Sequence, residues 1–166
     1  AQNPNGSWYH HYDAEEGVGK NARGEPGAGE INDRTMNSGI DVMAFMYHMT
    51  GEVKYVEAMK RAGDWLIEAQ GDEVPLWAMQ YDPENNPQWA RHFEPPAWSK
   101  SGTTQAVEAL REMYRFSGDE RYLDAIRRSL QWMEENLPEG ELYSHVEPGT
   151  GRPVAAEAEQ PESMQV

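Results

Sequence analysis

The sequence predicts a mainly α fold: helical hairpin repeats in an α/α toroid-like arrangement, with short strand-like turns and long rim loops. Three observations predict it. Two stretches of chain align with each other without gaps. Each has apolar residues near the helical period, interrupted by a glycine stop. Each is also preceded by a Trp-x-x-x-Tyr-Asp pattern.

The first stretch, GIDVMAFMYHMTGEVKYVEAMKRAGDWLIEAQ, covers 39–70, and the second, AVEALREMYRFSGDERYLDAIRRSLQWMEEN, covers 106–136. Met43 aligns with Leu110, Met46 with Met113, Gly51 with Gly118, Tyr55 with Tyr122, Ala58 with Ala125 and Trp65 with Trp132. In the first unit Ile40, Met43, Phe45, Met46, Tyr47 and Met49 form an apolar stripe, which Thr50-Gly51 ends. Its second helix carries Tyr55, Val56, Met59, Ala62, Trp65, Leu66 and Ala69. In the second unit Val107, Leu110, Met113, Tyr114 and Phe116 precede Ser117-Gly118, and Tyr122, Leu123, Ile126, Leu130, Trp132 and Met133 follow. Connections this short favour antiparallel neighbours, so hairpins are expected at 36–70 and 103–137. Trp8 to Asp13 and Trp77 to Asp82 carry the preceding pattern, and a weaker third copy lies at 142–147. The tail at 154–166, rich in Glu, Ala and Gln without an apolar period, reads as disordered or truncated. Helical hairpins cannot bury both faces alone. Two of them make a sparse toroid, so the folded unit at 1–153 is expected to be a partial one.

The bulk composition narrows the function. The 166 residues suffice for one domain with a sizeable core. Against 29 acidic residues stand 14 basic ones, a formal charge of −15 that argues against nucleic acid and anionic membranes as partners. An excess of carboxylate suits solubility or cation binding. With no cysteine, disulfides and thiolate zinc sites are excluded. No apolar run approaches a membrane span. The chain begins with Ala and shows no signal peptide, which reads as a mature or clipped product.

Site candidates lie in the loops that enter the first helix of each hairpin, at 29–37 and 77–104. Both are longer than a hairpin connection needs, and the second is rich in Trp and Pro. Asp33 is either an N-cap or a carboxylate ligand for a cation. Asp82 either opens an Asp-Pro turn or supplies a second carboxylate at the same rim. Glu94, between Phe93 and Pro95-Pro96, is either held for function or buried in a salt bridge with Arg91. Hard oxygen ligands of this kind suit calcium. His10, His11 and His92 are scattered, and no zinc-hydrolase, phosphate-loop or dinucleotide motif is present. Ser99 and Ser101 beside Lys100 are a weak basis for Ser–Lys catalysis.

Four segments in order resemble the pectate lyases of polysaccharide lyase family ten. Asn5-Gly6-Ser7-Trp8 is similar to that family's NGGWP turn, and Ile31 to Met36 to its TFNDNAM segment. Trp77 to Asp82 is similar to its WAQQYD segment, and Pro87 to Pro96 to its PAWARAYELPS stretch. The resemblance implies a helical toroid and cleavage of polygalacturonate by β-elimination. In it, calcium bridges enzyme and substrate uronates and acidifies the C5 proton, while an arginine serves as Brønsted base. It implies a secreted or periplasmic enzyme, monomeric, with pectin as substrate. Carried over by position, Asp33 and Asp82 are the calcium carboxylates, and Arg34, Arg91, Glu94 and Trp77 are substrate-binding residues. Three departures stand out. Arg34 replaces an asparagine, Gly102-Thr103 falls where the family has Glu-Ser, and no arginine follows Pro153, where the family's base is expected. The chain is thus expected to be a fragment, or a lineage without the base. Two other readings stay open: an α/α-toroid glycoside hydrolase acting on uronides, with Asp33 and Asp82 as its carboxylate pair, and a non-catalytic polyuronate-binding module.

Overall fold

The structure is a computed structural model that describes residues 1–20, 24, 29–89, 91, 93–137 and 143–154. Residues 155–166 of the expected tail at 154–166, His92, and the start of the third copy at 142 lie outside the described residues. Among the described residues the fold is mainly α, with four α-helices and six strands of two or three residues. The helices are α1 (Thr35–Thr50), α2 (Val53–Glu68), α3 (Lys100–Ser117) and α4 (Glu120–Asn136). They form two hairpins, α1 against α2 and α3 against α4, with α3 also packed on both helices of the first hairpin.

Local chemistry sets the helix ends. Gly51 (φ 70°) and Gly118 (φ 72°) adopt the left-handed conformation that closes α1 and α3, and each N–H donates to a carbonyl four residues back, at 2.7 Å. Helix α3 starts earlier than the expected 103, because the Ser99 hydroxyl caps it by accepting the Gly102 N–H at 2.9 Å. Asp119 caps α4 in the same way through the Arg121 N–H.

The aligned units do not share an environment. Trp65 is fully buried and meets Tyr81 edge-on, with ring centroids 5.4 Å apart, whereas its counterpart Trp132 is half-buried. Among the described residues helix α2 packs against α1, α3 and α4, while α4 packs chiefly against α3 and, less closely, α2. The apolar stripe of α1 is also only partly used. Met36 and Ile40 enter the core, but Phe45 and Met49 are 62% and 68% exposed, because α2 and α3 cover one side of the helix.

The strands pair into three short antiparallel ribbons. The first joins β1 (His11–Asp13) to β2 (Val18–Lys20). The second joins β3 (Gly29–Glu30) to β4 (Gln80–Tyr81), with Glu30 opposite Gln80. The third joins β5 (Trp98–Ser99) to β6 (His145–Val146), with Ser99 opposite His145. β3 leads into α1 through a 3₁₀ turn at Asn32–Arg34, and β5 leads directly into α3. Two ribbons therefore deliver their residues to the N-terminal ends of α1 and α3.

Candidate functional site

Two adjoining hollows lie at that end of the molecule, and Arg91 lines both. The smaller, about 170 Å³, is walled by His10, Glu30, Asn32, Asp33 and Gln80 as well. The larger, about 540 Å³, is lined by Met79, Phe93, Glu94, Lys100, Ser101 and His145 among others.

A buried polar network forms the floor between them. Glu30, Asn32, Gln80 and Glu94 are all under 5% exposed. The β3–β4 register brings Glu30 beside Gln80, whose amide nitrogen donates to Glu30 Oε1 at 3.1 Å and contacts Glu94 Oε2 at 3.5 Å. The amide thus separates two buried carboxylates. Asn32 donates to Glu94 Oε1 at 3.0 Å, and the Arg91 amide donates to Glu94 Oε2 at 3.1 Å. The Arg91 guanidinium closes a hydrogen-bonded ion pair on Glu94 Oε1. Burial pushes the Glu94 carboxyl up, but the hydrogen bonds from the Arg91 side chain and amide, its charge and Gln80 outweigh that and hold it below the usual glutamate value. Arg91 is held above its ordinary value, chiefly by its hydrogen bond to Glu94. It is a permanent cation, fixed at its inner end, and its side chain is 44% exposed.

At the mouth of the smaller hollow, His10 spans two carboxylates. Its Nδ1 is 2.8 Å from Glu30 Oε2, without hydrogen-bond geometry, and its Nε2 is 3.6 Å from Asp33 Oδ2. Both contacts become ion pairs when the imidazole is protonated. Asp33 does not cap α1; it sits in the 3₁₀ turn at φ 51°, followed by Arg34 at φ 63°. Successive left-handed non-glycine residues are strained and persist where the surroundings over-determine them. Here Asn32 anchors the turn to Glu94, and the Arg34 N–H donates to Gln105 at 2.6 Å.

The structure therefore brings Asp33, Arg91 and Glu94 together and places the other three predicted residues elsewhere. Asp82 does not line either hollow. It folds its own turn, with Oδ1 accepting the N–H groups of Glu84 and Asn86 at 3.0 and 2.8 Å and Oδ2 accepting from the Asn86 side chain at 3.1 Å. Arg34 points to α3, where it pairs with Glu108 at 2.6 Å. Trp77 is fully buried, its indole N–H on the Leu66 carbonyl at 2.7 Å, so its ring packs the core and presents no face to a ligand. Glu30, Gln80 and His145 were not singled out from the sequence, and His10 was noted there only as one of three scattered histidines. Glu30 and Gln80 lie within the two long loops, the one signal they offered, whereas His10 and His145 lie outside both; the pairing of β3 with β4 joins Glu30 to Gln80, and that of β5 with β6 brings His145 to the start of α3. Burial pushes the His145 imidazole down, against the opposing pull of Glu94. Among the described residues no group of three or more His, Asp or Glu side chains is arranged to hold a metal ion.

This fold has a solved counterpart. The chain is similar to the structure described as "Family 10 polysaccharide lyase from Cellvibrio cellulosa", with a TM-score of 0.63 and 16% sequence identity over 90% of this chain. The match covers 49% of that structure, so the chain spans about half its length. No protein-family model matches the chain, and no curated protein sequence does. At this identity the similarity establishes a shared fold. What the two share is the mainly α architecture described above.

Proposed function

We propose that the chain is the uronate-recognising part of a polysaccharide lyase that cleaves polygalacturonate by β-elimination, its two hairpins being a portion of an α/α toroid. One observation carries this reading: a chain of charge −15 holds a half-exposed arginine between two hollows, fixed on a buried carboxylate, on a fold similar to a polysaccharide lyase. A guanidinium suits planar, hydrogen-bonded recognition of a carboxylate. Arg91 binds and orients a substrate uronate; Glu94, with Asn32 and Gln80 behind it, fixes the arginine and does not touch the substrate. Arg91 is a poor candidate for the Brønsted base, because its pairing with Glu94 holds the proton on the guanidinium. The proton acceptor is therefore assigned to another group.

Calcium belongs to the same proposal. Asp33 fits as a ligand, since its carboxylate is 58% exposed at the hollow's mouth. Asp82 fits less well, because both its oxygens are committed to its own turn. Bound there, calcium would neutralise a uronate carboxylate and stabilise the negative charge that develops as the C5 proton leaves. The proposed setting is the periplasm or the cell exterior, where such a polymer occurs, and the proposed state is a monomer. No helix among the described residues is long and apolar enough to cross a membrane.

Native electrophoresis through gels containing polygalacturonate tests the reading. Retardation of the chain is expected, weakened by a calcium chelator and lost in Arg91→Ala. Equal mobility with and without the polymer would sink it. Ultraviolet absorbance of the 4,5-unsaturated product and release of reducing ends, followed together, separate lyase from hydrolase chemistry. The hydrolase alternative needs Asp33 and Asp82 at one site, and only Asp33 lines the hollow.

A further inference from the structure

The larger hollow is lined by a second cation, Lys100, that has no carboxylate partner among the described residues. The chain has four lysines. Lys20, Lys54 and Lys60 each hold an acidic partner, at 2.8–2.9, 2.6 and 3.4 Å. Lys100 has no ion pair or side-chain hydrogen bond among the described residues, in a protein with twice as many acids as bases. Its backbone is nevertheless tightly placed: its N–H donates to the Ser144 carbonyl at 3.1 Å, and its carbonyl accepts the Thr104 hydroxyl at 2.8 Å. The side chain thus extends from a fixed root and lines a hollow of about 540 Å³, within the roughly 300–1,000 Å³ typical of small-molecule sites.

The other walls suit a charged sugar. Arg91 stands in the same hollow with its guanidinium 4.8 Å from the centre of the Phe93 ring. Phe93, 44% exposed, and Met79 offer apolar surface to the C–H face of a pyranose ring. Ser101 supplies a hydroxyl, and His145 an imidazole that burial keeps in its neutral, accepting form near pH 7.

We infer that Lys100 forms a second carboxylate-binding position beside Arg91, so that the site reads two uronate units of one chain and discriminates against methyl-esterified ones at the Lys100 position. The inference rests on the polyuronate reading above and adds a specificity-determining residue to it. Methyl esterification removes the charge that the ammonium would meet and leaves only neutral acceptors.

Calorimetric titration of the chain with tri-galacturonate and with its full methyl ester, at fixed salt and calcium, provides the test. The wild type is expected to bind the free acid much more tightly than the ester. Lys100→Gln is expected to lose roughly tenfold in affinity for the free acid, the loss of one charge-assisted contact, with little change for the ester. Lys100→Arg restores the preference. Circular dichroism checks the fold, which replacement of an exposed side chain leaves intact. If Lys100→Gln binds the free acid as tightly as the wild type, the second position is refuted while the Arg91 reading stands. If the wild type binds no tri-galacturonate, the polyuronate reading fails and this inference falls with it.

Discussion

Glu94 is 2% exposed yet stays ionised, because donors from Asn32, Gln80 and both the amide and guanidinium of Arg91 surround it. Its folded-state pKa lies below the unfolded one, so its contribution to stability is present above about pH 4.3 and is lost as the pH falls through the lower folded value. Glu94→Gln keeps the shape but sets a second amide against the donors of Asn32 and Gln80 and removes the partner of Arg91. It is expected to cost roughly 1–3 kcal/mol, less than a fully buried broken pair would, because Arg91 reaches solvent. Urea midpoints measured against pH should show the difference from wild type at pH 7 and its shrinkage below about pH 4. His145 works with the same sign for a different reason. Burial lowers its folded pKa, so protonation opposes folding; its contribution is complete above about pH 6.5 and falls as the pH drops toward the lower folded value. His145→Gln should flatten stability just below pH 6.5, where the wild type declines.

Among the elements, the contact between α2 and α4 depends on a residue that helix propensity disfavours. A Cβ at Gly63 would lie 2.6 Å from the Tyr122 ring, which is itself fully buried and cannot swing away. Gly63→Ala gains about 1 kcal/mol of helix propensity but must separate the hairpins, and a net destabilisation of about 1–3 kcal/mol is expected. A thermal melt showing a more stable Gly63→Ala protein would refute the close approach. Ser99 makes a second element-scale case. Removing its hydroxyl frees the Gly102 N–H at the start of α3, and Ser99→Ala should cost about 1 kcal/mol in chemical denaturation. Both hairpins could be read from the sequence, since Gly51 and Gly118 announce their turns and the helical period announces their faces. The extra turn of α3 was harder to see, because a serine followed by lysine and serine marks a cap only once the chain enters from β5 in extended conformation.

Over the whole molecule the net charge of −15 is the main long-range term. Carboxylates repel one another across the surface, and salt shortens the reach of that repulsion from about 30 Å at 0.01 M to about 8 Å at 0.15 M. The melting temperature should therefore rise with added sodium chloride over this range; a fall would mean that surface ion pairs such as Arg34–Glu108 outweigh the repulsion. The candidate site was legible in part. Asp33, Arg91 and Glu94, singled out from the sequence, all line the two hollows, because loops too long for their connection concentrate polar residues beside rigid turns. Asp82, Arg34 and Trp77 sat in equally suggestive sequence, yet went to a turn, a helix surface and the core.

The sequence by itself determined the helices, their glycine stops and the repeat, since each depends on neighbours within a few residues: a period, a cap, a left-handed glycine. It also determined the sign of the surface charge. Only the tertiary structure decided which carboxylates are buried and paired. Glu30 meets Gln80 through a two-residue ribbon between segments 50 positions apart, and His145 reaches α3 through another ribbon that no local pattern encodes. The same packing decided that Trp65 is core while its repeat partner Trp132 is not. Register and neighbour count are properties of assembled elements, and a periodic sequence leaves both open.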